Sequence, residues 1–187
     1  MNYLIDKFLK TTTINTTGSW KNSKFFDWQQ AGNKAKGTTG ENFMKHLLDT
    51  QGYSDVVSVG GSADHDLKFD SQNIEVKLSF ANRDESGEIV HDKFTWNHIG
   101  FLKNWEHIVF IGLNPPLSEG RVRGNWRDNS EELNVMWFTR EQLEKLCDEG
   151  LIARQQGGKK GNNDDWMAGG TFFKKINYGA EYENIPF

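Results

Sequence analysis

From residue 37 to residue 48 the apolar side chains Phe43, Met44, Leu47 and Leu48 fall at i, i+1, i+4 and i+5. That is the spacing of a helix burying one stripe, and Gly52 marks its end. Upstream, residues 2–10 place Leu4, Ile5, Phe8 and Leu9 at helical spacing, and residues 11–19 break the pattern. Phe25, Phe26 and Trp28 then predict a further helical turn before the polar, glycine-containing stretch 31–39. From Val56 the period becomes two. Val57 and Val59 lead to Gly60-Gly61, residues 66–69 alternate polar and apolar, 70–73 read as a turn, and 74–78 alternate again, which predicts two paired strands. Residues 81–93 are polar and read as a loop, and 96–105 return to helical character. The continuous apolar run 107–113, stopped by Asn114-Pro115-Pro116, predicts a strand covered on both faces. After a loop over 117–129, residues 133–138 predict another strand. Thr139 and Gln142 have the capping-box spacing of a helix start, with Leu143 and Leu146 on the inner face and Gly150 past the end. The remainder, from Ile152, is punctuated by Gly and Asn and holds one strand candidate at 171–176.

The predicted order is α-β-β-α-β-β-α with extensions at both ends, an α/β domain. At 187 residues, without an internal repeat or a domain-scale linker, the chain reads as one domain. Residues 1–36 form an accessory arm, 37–146 the core and 147–187 a C-terminal extension. Seven Trp and thirteen Phe supply large apolar side chains for a core. The longest apolar stretch, 108–111, is far short of the roughly 20 residues that span a bilayer, and the N-terminus lacks a signal pattern. The expectation is a cytoplasmic protein with no membrane partner. The single cysteine, Cys147, cannot form an internal disulfide or a Cys-rich zinc site, and the acidic residues after it push its thiol pKa up.

A formal charge of −4 argues mildly against nucleic acid, but the charge is unevenly spread. Residues 1–50 carry +3, 51–100 carry −5, 101–150 carry −3 and 151–187 carry +1. The acidic middle contains the chemistry. Glu75 and Lys77, two apart in an alternating segment, point to one face, while Ile74, Val76 and Leu78 point into the core. If the hairpin pairs in register, Asp66 joins them, and Glu41 arrives from the first turn of the preceding helix. Two carboxylates a few ångströms apart repel, and a hard divalent cation such as Mg²⁺ relieves that repulsion by taking oxygen ligands. Lys77 is then placed to orient or deprotonate an attacking water, a layout suited to metal-assisted displacement at phosphorus. Asp64, two residues before Asp66, is the alternative that assists or replaces it.

With these residues the sequence resembles the PD-(D/E)XK nuclease superfamily, the restriction-endonuclease-like fold. The resemblance rests on Gly40-Glu41 opening a helix, Asp66 opening a strand after Gly60-Gly61, the Ile74-Glu75-Val76-Lys77 signature, and a helix with Phe94, Trp96, Asn97, His98 and Ile99 leading into the apolar strand 108–113. It covers about residues 37–146. It departs at His65, where the family's motif has proline. The resemblance implies a mixed central β-sheet flanked by helices and a Mg²⁺-dependent endonuclease cutting double-stranded DNA to leave 5′-phosphate ends, with Mn²⁺ as a substitute cation. It implies Asp66 and Glu75 as metal ligands with the Val76 carbonyl as a third, Lys77 as the water-positioning residue, and Glu41 as the supporting helix carboxylate. A restriction-type or phage nuclease is favoured, in a bacterial or phage-infected cell. A repair or junction-cleaving nuclease and a non-catalytic nucleic-acid-binding protein of the same fold are the alternatives. Cutting both strands needs two sites, which suggests a homodimer.

For DNA contacts the sequence offers the loop with Arg121, Arg123, Trp126 and Arg127, and the Gly-rich stretch with Lys159 and Lys160. No GxxxxGK[ST] loop, HExxH zinc motif, serine nucleophile elbow or dinucleotide fingerprint occurs.

Overall fold

The computed structural model describes residues 18–53, 55–59, 64–116, 122–123, 132–155, 164–169 and 172–178. The apolar run His107–Leu113 is a strand, β6, buried at every position after the first. Such a strand must sit inside a sheet with both faces covered. On one side β6 pairs in parallel with β3 (Gln72–Phe80), and on the other it pairs antiparallel with β8 (Leu133–Thr139). β2 (Leu67–Phe69) pairs antiparallel with β3, and β1 (Val57–Ser58) pairs antiparallel with β2. The central sheet is therefore mixed, in the order β1-β2-β3-β6-β8, as the resemblance implied.

A short helix, α1 (Phe26–Gln30), leads into α2 (Asn33–Thr50), and Trp28 packs edge-on against Phe43 at 5.6 Å between ring centres. α2 buries Phe43, Met44 and Leu48 and lies against β3. The approach is close because residue 40 is glycine. A Cβ there would stand 3.1 Å from Leu78 Cβ, so a larger side chain would lift the helix off the strand. After β8, α3 (Arg140–Asp148) starts with the predicted capping box, Thr139 Oγ1 accepting from Gln142 N–H at 3.2 Å and Gln142 Oε1 from Thr139 N–H at 2.8 Å. Leu143 and Leu146 are its buried face, as expected.

Four expectations are corrected. Residues 96–105 are not a helix: β5 (Trp96–Ile99) is followed by a loop. β5 pairs with β10 (Trp166–Ala168), which also pairs with β9 (Ala153–Arg154), in a separate three-stranded sheet. The register shifts between Trp166 and Ala168, so β5 carries an extra residue and exposes both Asn97 and His98, the latter at φ 58°. That bulge spaces the buried Trp96 and Ile99 three apart, which in sequence imitates a helical face. Residues 172–178 form a helix, α4 (Phe172–Tyr178), rather than the strand proposed at 171–176. Its buried Phe172, Phe173 and Ile176 follow i, i+1, i+4 spacing, which outweighs the strand preference of the aromatics.

The polar stretch 31–39 belongs mostly to α2. Its first turns face solvent and need no apolar stripe, so Glu41 lies more than two turns in and not in the first turn. The segment 81–93 is not all loop: β4 (Ile89–Val90) pairs in parallel with β7 (Val122–Arg123). The predicted helix at 2–10 lies outside the described residues.

On the face of the sheet that carries Lys77 and Phe110, the core is aromatic. Trp96 stacks on Phe110 at 5.0 Å and donates its indole N–H to the Ile111 carbonyl at 3.0 Å, while Phe138 and Phe172 close around Phe110. Gly112 leaves room for Phe94, whose ring would lie 2.7 Å from a Cβ at that position. Among the described residues no helix is long and apolar enough to cross a membrane.

Candidate active site

The site begins with the turn between β2 and β3. Asp70 and Ser71 both adopt positive φ, 46° and 66°, the backbone of a two-residue hairpin turn whose twist matches the strands. This turn fixes the register, pairing Phe69 with Gln72 and Leu67 with Ile74. Asp66 and Glu75 are therefore the next pair outward and share a face. At Asp66 the regular ladder ends. Its N–H still reaches the Ile74 carbonyl at 3.0 Å and its carbonyl accepts from Val59 N–H at 2.9 Å. Its carboxylate turns inward, Oδ2 accepting the Val76 N–H at 2.7 Å. Within a strand the N–H and C=O of one residue leave on the same side, so the Val76 carbonyl also faces the edge where Asp66 sits.

Glu75 is 1% exposed. A buried carboxylate needs compensating partners, and it has two on one atom. Lys77 Nζ lies 2.5 Å and Lys103 Nζ 2.8 Å from Oε1. The other oxygen, Oε2, is buried without a hydrogen-bond partner. Glu41 reaches the same field from α2: burial raises its carboxyl pKa, the charges of Asp66 and Glu75 raise it further, and Lys77 opposes them. Asp66 is also raised, first by burial and then by Glu75, against the Val76 N–H and the two lysines. The four residues singled out in the sequence, Glu41, Asp66, Glu75 and Lys77, thus form one electrostatic group. Asp64 is exposed and acts at longer range, its charge felt at Lys103, so Asp66 is the residue built into the site.

Lys103 was not among the sequence candidates. It lies on the loop after β5, within the stretch read as a helix, where a lysine passes for a solvated side chain. Gly100 and Asn104 flanking it were the signal available. Burial lowers its pKa, but the hydrogen bond and charge of Glu75, with Asp66 and Asp64, outweigh that and leave it raised. The loop holding it is tethered from both sides. Asp164 accepts the N–H groups of Phe101 and Leu102 at 2.8 and 2.6 Å. The Arg140 guanidinium donates to the carbonyls of Trp105, Phe101 and Lys103 at 3.0, 2.5 and 2.5 Å and lies over the Trp105 ring at 4.2 Å.

Of the residues read as DNA contacts, Arg123 lies in β7, while Arg121, Trp126, Arg127, Lys159 and Lys160 fall outside the described residues. The Cys147 thiol is pushed up to about 11, by burial and then by Asp148 and Glu144, so it is not a nucleophile near neutral pH.

Among the described residues no group of three or more His, Cys, Asp or Glu side chains is arranged to enclose a metal ion. The available donors are two carboxylates and a main-chain carbonyl. That set fits a small hard cation such as Mg²⁺, which binds through one or two carboxylates and retains several waters. The unpartnered Glu75 Oε2 supports the fit, because a buried carboxylate oxygen without a donor is stabilised by a cation.

The raised carboxyl pKa values carry a pH consequence. An acid whose folded pKa is raised binds protons more readily folded than unfolded, so stability falls as pH rises through the window between the two values. The window opens at the ordinary values, 3.8 for Asp66 and 4.5 for Glu41, and closes at the raised ones. Thermal melts in EDTA are expected to show this decline, with Asp66→Asn making it shallower. An identical slope in the variant would remove Asp66 from the coupled group.

Comparison with family models, with curated proteins and with solved structures found no match.

Proposed function

We propose that the chain is a Mg²⁺-dependent endonuclease of restriction-endonuclease-like fold that hydrolyses phosphodiester bonds in double-stranded DNA. The observation carrying this reading is the state of Glu75: fully buried, opposite Asp66, with two ammonium groups on one oxygen and none on the other. A carboxylate kept only as an ion-pair partner has no need of an orphaned oxygen, since leaving one buried costs about 1–3 kcal/mol.

In this reading Asp66, Glu75 and the Val76 carbonyl hold the cation. When bound, Mg²⁺ neutralises charge developing on the phosphate and lowers the pKa of a coordinated water. The Val76 N–H holds the Asp66 carboxylate in place, so that ligand does not have to be ordered as substrate binds. Lys77, an ammonium fixed beside Glu75, orients the attacking water by donating a hydrogen bond to its oxygen. Glu41, with its raised carboxyl pKa, is suited to accept a hydrogen bond or a proton at the rim.

In-line attack of water on phosphorus from the side opposite the 3′-oxygen breaks the P–O3′ bond; the 3′-oxygen leaves and takes up a proton from solvent, giving a 3′-hydroxyl and a 5′-phosphate. A restriction-type or phage nuclease is the favoured setting, with two copies acting on opposite strands.

The test is end mapping on a defined duplex with Mg²⁺. Products bearing 5′-phosphates are expected, and cuts at fixed sites on both strands support the restriction-type setting. Cleavage confined to branched DNA would favour the junction-cleaving alternative. Products with 3′-phosphates would contradict the mechanism.

A further inference from the structure

Glu75 Oε1 carries two ammonium groups although one suffices for charge and geometry. The two lysines are not equivalent. Lys77 rises from β3 inside the sheet and its side chain is 19% exposed, whereas Lys103 stands on the tethered loop and is 38% exposed. Beside it Leu102 is 89% exposed, so this side of the site opens to solvent. The Arg140 and Asp164 contacts hold the loop's main chain, whereas the Lys103 ammonium is held by its bond to Glu75.

Close to the shared carboxylate, Glu41, Asp66 and Glu75 bring three negative charges and the lysines two positive ones, while Asp64 is exposed and acts on Lys103 from farther off. A divalent cation on Asp66 and Glu75 makes four positive against three, with two ammonium groups crowding it on a shared carboxylate. The arrangement is relieved if one lysine leaves, and the more exposed one is Lys103. Its ammonium then loses its hydrogen-bonded carboxylate and keeps only the longer-range charge of Asp64, on the side where Leu102 is exposed.

Resting on the nuclease reading, we propose that Lys103 is an exchangeable cation of the site: it neutralises Glu75 when no divalent ion is bound, gives way to that ion, and then binds a phosphate oxygen of the DNA. Lys77 stays on Glu75 throughout. The exchange links cation loading to substrate capture, because the lysine released by the first becomes the donor for the second.

The test is a Mn²⁺ titration of the full chain without DNA, followed by calorimetry or electron paramagnetic resonance, paired with cleavage kinetics across salt concentrations. Lys103→Met is expected to bind Mn²⁺ about tenfold more tightly than the native chain, since it removes a competing cation. The same variant should need about tenfold more DNA for half-maximal cleavage, with a salt slope smaller by about one phosphate contact. Lys103→Arg should restore the native salt slope, and Lys103→Gln supplies the neutral variant if the methionine does not fold. Unchanged or weaker Mn²⁺ binding in a folded neutral variant, with the native chain still cutting, overturns the exchange and leaves the nuclease reading standing. A native chain that neither binds Mn²⁺ nor cuts overturns both.

Discussion

Glu75→Gln is expected to lower DNA cleavage by roughly a thousandfold or more, equivalent to about 4 kcal/mol of transition-state stabilisation. The amide keeps the size of the carboxylate and fits the same buried position on β3, but it removes the negative charge on which the cation and both lysines depend. The melting temperature should change little by comparison. Lys77 and Lys103 are both partly exposed, so they can turn towards water once their counter-charge is gone. Large loss of cleavage with a near-native melt is therefore the signature of a catalytic carboxylate. A large loss of stability with cleavage intact in the surviving protein would make Glu75 merely the anchor of two lysines. Single-turnover cleavage and calorimetric melts on one preparation separate these results.

Arg140→Ala is expected to have the largest effect on stability, about 3 kcal/mol, or a fall in melting temperature of roughly 6–12 °C. The guanidinium donates to three main-chain carbonyls of one loop and covers the Trp105 ring, while Asp164 holds the same loop by two N–H groups. Truncation leaves those carbonyls without their charged donor and loosens the segment that aims Lys103 at Glu75. Cleavage should weaken as well, through higher DNA demand, because Arg140 is not among the groups on Glu75. Arg140→Lys should not rescue, since a single ammonium cannot span three carbonyls as the planar fork does. Full stability in Arg140→Ala would show that the loop is held by Asp164 and packing alone.

Much of this arrangement was legible from residue order. The period-two alternation over 66–69 and 74–78 identified the hairpin, and the hairpin put Asp66, Glu75 and Lys77 on one face. The continuous apolar run at 107–113 identified the doubly covered strand beside it, and Thr139 with Gln142 marked the helix after β8. The failures have a common cause, in that tertiary context decides segments whose local spacing suits two structures. Trp96 and Ile99, three apart, fit a helix as well as a bulged strand, and only pairing with β10 distinguishes them. Asn33 to Thr39 lacked any apolar stripe because those turns of α2 face water. Lys103 escaped because its role depends on a contact across 28 positions of sequence, which no local pattern encodes. The −4 net charge argues mildly against a DNA substrate, but part of it lies on the site carboxylates, which under the proposed reading would draw a cation.

The most direct test of the account is incubation of supercoiled plasmid with the native chain in Mg²⁺, in EDTA, and with Lys77→Ala in Mg²⁺. Nicking or linearisation by the native chain is expected in Mg²⁺ and none in EDTA, with a loss of about a hundredfold or more in Lys77→Ala. Cleavage that survives EDTA or Lys77→Ala would contradict the metal-and-lysine mechanism, and intact plasmid that is nevertheless bound would mark a nucleic-acid-binding protein without catalysis.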